Sequence, residues 1–127
     1  MTQMEPTSEN LDDILKKLLA AIPEVKAAAI VSAEGLPIAS APMRPDHELA
    51  SAMIAMLQQV SVETQDHLEL APVDEVTIRT KESMHLVCRT IPSGKDWICL
   101  CALVPPGQVY RRATNRAVRR IRDAIEG

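Results

Sequence analysis

Cys88, Cys99 and Cys101 are the residues of this chain whose type and spacing come nearest to chemistry. Cys99 and Cys101 sit two apart in Ile98–Val104, a run that is apolar at every position. Residues i and i+2 of a strand face the same side, so these two thiols share a face. Cys88 lies in the preceding strand-like run, and a turn centred on Ser93-Gly94 puts it opposite Cys99. Three thiols then converge, as soft-metal ligation or thiol exchange would require. A structural zinc site takes four ligands, and His85 has the opposite strand parity to Cys88. A one-residue register slip would scatter the group. The first reading is therefore buried small hydrophobes, with no metal assigned; zinc is the alternative.

Little else suggests catalysis. His47, His67 and His85 are scattered, and no phosphate-loop, dinucleotide-binding or zinc-protease motif occurs. Glycines stand only at 35, 94, 107 and 127, too few and too dispersed for a phosphate cradle. Asp12-Asp13 falls at a helix start and Asp74-Glu75 at a strand start, where solvated charge is the default. No catalytic residue and no cofactor are assigned. The expectation is a non-enzyme whose function lies in its surfaces.

The strongest surface signal is the C-terminal helix. Stepping 100° per residue from Val109 gathers Val109, Tyr110, Ala113, Ala117, Val118, Ile121, Ala124 and Ile125 in one half-circle. Arg111, Arg112, Arg116, Arg119, Arg120 and Arg122 occupy the other, interrupted by Asp123. Arg112, Arg116, Arg119 and Arg120 are the named basic partner face. A solvated face is the plain reading and an acidic protein partner the sharper one. Residues 105–127 carry 6 Arg and 2 acidic residues, while residues 1–104 carry 8 Lys/Arg against 15 Asp/Glu. That acidic body, with no Phe and only Trp97 and Tyr110 as aromatics, argues against nucleic acid. The apolar half of the helix is needed for packing and has no aromatic wedge, which argues against a membrane.

A chain of 127 residues reads as one domain, with residues 1–8 a disordered N-terminus and 9–126 the folded unit. No stretch reaches the roughly 18–20 apolar residues of a membrane span, and the N-terminus lacks signal-peptide character. Three cysteines without a secretory signal read as reduced thiols, so a cytoplasmic protein is expected.

The elements that must position these groups follow from periodicity. Ser8 or Asn10 can cap a helix whose stripe is Leu11, Ile14, Leu15, Leu18 and Ile22, ended by Pro23. Residues 27–41, AAAIVSAEGLPIASA, read as a hairpin of strands 26–32 and 36–41 turning at Ala33-Glu34-Gly35. Asp46 can cap a helix over about 47–68. Strands are expected at 73–80, 83–91 and 96–104, and a last helix after Pro105-Pro106. Strands 1 and 5 are apolar on both faces and belong in the centre; Pro37 places strand 2 at an edge. The expectation is an α/β fold: a three-layer α-β-α sandwich, α-β-β-α-β-β-β-α, with a five-stranded antiparallel sheet in order 2-1-5-4-3.

Strand 3 is then an open edge, and Leu49–Leu57 contains one polar residue in nine. A helix apolar all round is covered on more than one side. The economical cover is a second copy. A homodimer is expected through Leu49, Ala52, Met53, Met56, Leu57, Val60, Val76 and Ile78.

Two segments point to a family. Leu11-Asp12-Asp13-Ile14-Leu15 through Ile22-Pro23-Glu24-Val25, and then Ala29 to Ser40 (AIVSAEGLPIAS), resemble the opening of the Roadblock family, the Roadblock-type dynein light chains. The resemblance spans about residues 9–125. It implies a sandwich related to longin and profilin domains and a homodimer with a sheet continuous across both copies. It further implies a non-catalytic regulator or scaffold of a small Ras-like GTPase. Prokaryotic members resemble the partner of the gliding-motility polarity GTPase and promote hydrolysis by remodelling the GTPase, without an arginine finger. On this resemblance the central helices form the GTPase platform, and Gln58, Gln59 and Glu63 are its candidate contacts. A structural adaptor of a larger complex without GTPase control is the alternative, and a small-ligand sensor a third. The arginine density of the final helix departs from the family pattern.

Overall fold

A computed structural model describes residues 10–41 and 47–126. Its elements are α1 (Leu11–Ala21), β1 (Ala27–Ser32), β2 (Pro37–Ala41), α2 (His47–Leu68), β3 (Glu75–Ile78), β4 (His85–Ser93), β5 (Asp96–Val104) and α3 (Arg111–Glu126). The sheet is antiparallel throughout, in the order β2-β1-β5-β4-β3. The expected architecture is therefore the observed one. The N-terminal segment 1–8 and the Asp46 cap lie outside the described residues.

Local chemistry explains the boundaries. Asn10 caps α1, its Oδ1 accepting from the Asp12 N–H at 2.8 Å. The Ile22 N–H still reaches the Leu18 carbonyl, and Pro23 ends the helix. In the first hairpin the Gly35 N–H donates to the Ser32 carbonyl at 3.0 Å, with Gly35 at φ +90. This is a type I turn closed by a left-handed glycine, and the pairing shifts by one residue between Ile30 and Val31. A Cβ on Gly35 would stand 3.1 Å from the Ala52 Cα, so the turn also packs close beneath α2.

Three boundaries differ from expectation. β4 runs to Ser93 because the hairpin turns at Gly94-Lys95, with Gly94 at φ +62. Pro92 lies inside the strand; β3 stops opposite Arg89, so no ladder partner on that side needs a donor from Pro92. β3 covers only residues 75–78, because Thr80 turns the chain: its hydroxyl donates to the Met84 carbonyl and accepts from the Ser83 N–H. α3 begins later than Val109, which is 79% exposed and not part of the packed stripe. Pro105-Pro106-Gly107-Gln108 forms a turn with Gly107 at φ +81, and the chain must leave it before helix starts.

The sheet has two unequal faces. On one, α1 and α3 pack Ile14, Leu15, Leu18, Ala117 and Ile121 against Ile30, Val87, Ile91, Leu100 and Val104. On the other, α2 is the only helix among the described residues. Ile54 and Leu57 pack there against Val31, Cys88, Cys99 and Cys101.

Candidate interaction surfaces

The outer side of α2 is apolar and, among the described residues, uncovered. Met53, Met56 and Val60 are 62%, 69% and 60% exposed, and their i, i+3, i+7 spacing makes them one ridge. Ala52, Gln59 and Glu63 are exposed on the same helix. Beside the ridge a groove of about 500 Å³ runs between α2 and the sheet. Ile54 and Leu57 form its helical wall, and Leu86, Leu103 and Ile78 its sheet side. Ile78 and Leu103 are themselves exposed. The groove reaches β3, the terminal strand of the sheet, through Ile78. Val76 and Ile78 sit on that strand and point to the α2 side, opposite Cys88 and Leu86. Seven of the eight residues expected at a dimer contact thus lie on α2 or on the α2 side of β3, and the side chain of Leu49 lies outside the described residues.

Gln58 corrects the sequence reading. It is not exposed but 0% accessible, beneath α2, where its Oε1 accepts from the Thr90 hydroxyl. Ser51 and Ala55 precede it at i−7 and i−3 and are also buried, so helical phase carries this amide inward whatever its polarity. It is therefore withdrawn as a surface contact.

The thiols do converge. Cys88 pairs with Cys101, not Cys99, because the turn sits one residue later than expected. That moves the partner by two residues, which preserves the face. Cys99 Sγ and Cys101 Sγ are 3.6 Å apart, and all three sulfurs lie within 4.8 Å of one another. The neighbouring Cys101 and Cys99 thiols favour a thiolate at Cys88 and hold it below the usual thiol range. The same contact with Cys88, added to burial, pushes Cys101 upward. His85 is buried on the opposite face, its Nδ1 accepting from the Thr80 N–H.

Asp74-Glu75 is also corrected: the pair is built into a network and is not simply solvated. Asp74 bridges Arg89 and Arg111, each at 3.0 Å. Glu75 accepts from Arg111 at 2.7 Å and from the Tyr110 hydroxyl at 2.7 Å. Burial alone would raise both carboxyls, but the hydrogen bonds from Arg111 and Arg89 to Asp74, and from Thr77, Tyr110 and Arg111 to Glu75, hold them below the usual range. Arg89, 5% exposed, also donates to Thr114 at 2.8 Å. Together these contacts fasten the start of α3 to β3 and β4. Sequence reasoning passed over both Arg89 and Thr114. The available signal was a charge at Arg89 on the strand face shared with Val87 and Ile91.

On the closed face, Arg112, Arg116 and Arg119 are exposed along α3 and Arg120 is half-buried. Arg116 and Arg120 join Lys17 of α1 around a groove of about 360 Å³ floored by Ala113 and Ala117. The basic face therefore lies on the side of the sheet opposite the α2 ridge.

The Roadblock/LC7 domain profile matches residues 11–93. The chain belongs to the Roadblock/LC7 family. Solved structures extend the likeness over β5 and α3. A Roadblock/LC7 domain from Streptomyces avermitilis superposes with a TM-score of 0.81 at 18% identity, covering 94% of this chain and 100% of that one. Myxococcus xanthus MglB superposes with a TM-score of 0.83 at 13% identity, covering 97% of this chain and 98% of its own. Acanthamoeba castellanii profilin IA shares the fold more distantly, with a TM-score of 0.53 at 16% identity over 90% and 94% of the two chains. A search of the curated proteins finds no match. Among the described residues no helix of this Roadblock/LC7 domain is long and apolar enough to cross a membrane.

Proposed function

We propose that this Roadblock/LC7 chain is a non-catalytic regulator or scaffold that acts as a homodimer and binds a small Ras-like GTPase. The observation that carries the reading is the uncovered apolar ridge of Met53, Met56 and Val60 beside an apolar groove and the open β3 edge. Exposed aliphatic area of this kind gains on the order of 25 cal/mol per Å² when covered. A second copy is self-complementary to it: two β3 strands pair edge to edge, and two α2 helices lie side by side. Val76 and Ile78 then join Ala52, Met53, Met56, Leu57 and Val60 at the seam.

The likeness to MglB and the family membership support a GTPase as the further partner. Paired α2 helices give that partner a platform, with Gln59 and Glu63 as contacts. Acceleration of GTP hydrolysis, on this reading, comes from remodelling the GTPase. Pull-down with candidate GTPases loaded with GTP or GDP tests it. Binding that depends on the nucleotide supports the reading, and its absence with every GTPase encoded beside this gene opposes it. The basic groove on the opposite face favours a second, adaptor reading: an acidic subunit held by Arg112, Arg116, Arg119 and Arg120 without GTPase control. Copurified non-GTPase subunits would support that reading.

A further inference from the structure

The three thiols take no part in a protein-contact function, yet they are the most convergent set of metal-binding atoms among the described residues. Their geometry suits an ion. Metal–sulfur bonds of about 2.3 Å hold neighbouring sulfurs about 3.8–4.0 Å apart in tetrahedral or trigonal coordination. Here one pair stands at 3.6 Å and none is beyond 4.8 Å, so small side-chain adjustments suffice. A disulfide would instead draw two sulfurs to about 2.05 Å and leave the third unused.

A second observation comes from α2. Gln58 is fully buried, its Oε1 is taken by Thr90, and its Nε2 has no hydrogen-bond partner. The amide lies near enough to Cys88 to favour its thiolate, yet outside hydrogen-bond geometry. An unpaired buried donor is unfavourable, and a metal-bound thiolate is the acceptor that would satisfy it. In the single chain Cys101, though nearly buried, lines the groove beside α2, so an ion can approach from there before a second copy covers it.

The donor set selects the ion. No histidine or carboxylate joins the three sulfurs among the described residues. Zinc in structural sites takes a fourth ligand, whereas thiolates without hard donors select copper(I). We propose that Cys88, Cys99 and Cys101 form a three-thiolate site for a soft metal ion, copper(I) in preference to zinc, with Gln58 donating to the Cys88 sulfur. Each binding sulfur releases its proton to solvent. The site does not depend on what covers the groove.

The test is anaerobic titration of the reduced, full chain with copper(I) against a chromogenic copper(I) chelator. Quenching of Trp97, the single tryptophan, which packs against the cluster, gives a second readout. One copper per chain is expected, with three sulfur neighbours in the copper K-edge spectrum of the wild-type protein. Cys99→Ala should weaken binding by more than about 100-fold and Gln58→Leu by about 10-fold. Less than one copper per wild-type chain, two or fewer sulfur neighbours, or zinc binding as tightly as copper(I) would overturn the proposal. The wild-type spectrum and Gln58→Leu keep it testable if a cysteine variant does not fold.

Discussion

The two faces of the sheet are finished to different degrees. Under α1 and α3, Ile14, Leu15, Ile30, Ile91, Leu100 and Ile121 are all at most 1% exposed, and the Arg89–Asp74–Arg111–Glu75 network fastens the layer. Under α2, the sheet is only half roofed. Leu103 and Ile78 stay exposed beside the groove, and the buried centre is built of Val31, three thiols and a glutamine, with Ser51 and Ala55 of α2. One face is closed within the single chain, while the other leaves apolar area exposed, the area that the proposed second copy would cover. Substitutions should separate these roles.

Leu100→Ala, in the closed layer, should cost about 2–5 kcal/mol by creating a cavity. Chemical denaturation would show this as a lower midpoint, with self-association retained wherever the chain is folded. Met53→Asp with Met56→Asp should do the reverse. The exposed ridge can take charge without loss of fold, but covering it then costs about 2 kcal/mol or more, a roughly 30-fold weaker association in sedimentation. Gly35→Ala, at the turn beneath α2, combines a φ of +90 with a 3.1 Å approach to Ala52. It should lower folding stability by about 1–2 kcal/mol.

Arg111→Ala should cost no more than about 1 kcal/mol, because its ion pairs are half exposed. Its signature is pH dependence. Asp74 and Glu75 are held below their unfolded values, so the network stabilises above the ordinary carboxylate range and is lost as pH falls through the depressed values. The melting-temperature gap between wild type and Arg111→Ala should be constant at neutral pH and close in acid, as pH falls through the depressed carboxyl values. Arg116→Glu with Arg119→Glu should change stability by less than about 0.5 kcal/mol while abolishing capture of an acidic partner.

What the sequence disclosed tracks how local the cause is. Proline at 37, apolar runs at 28–31 and 98–104, and Gly35 in its turn each act through neighbouring residues, and together they order the strands. The hairpin register was set by Gly94 taking a φ of +62 as the first turn residue, one place later than the expected turn centre, so Cys88 found Cys101 instead of Cys99; the thiols still met because strand parity survives a two-residue shift. Gln58 was misplaced because polarity was weighed above phase, although Ser51, Ala55 and Gln58 already mark an inward stripe. Arg89 became legible only once Thr114 and Asp74 were brought to it from positions 25 and 15 residues away.

The central claim is that the half-roofed face belongs to a second copy of this chain. Sedimentation equilibrium of the wild-type protein at micromolar concentration, beside Met53→Asp/Met56→Asp, tests it most directly. The account predicts a two-chain species for the wild type and a folded single chain for the variant. A wild-type monomer at that concentration, or a variant that dimerises as tightly as the wild type, would contradict it.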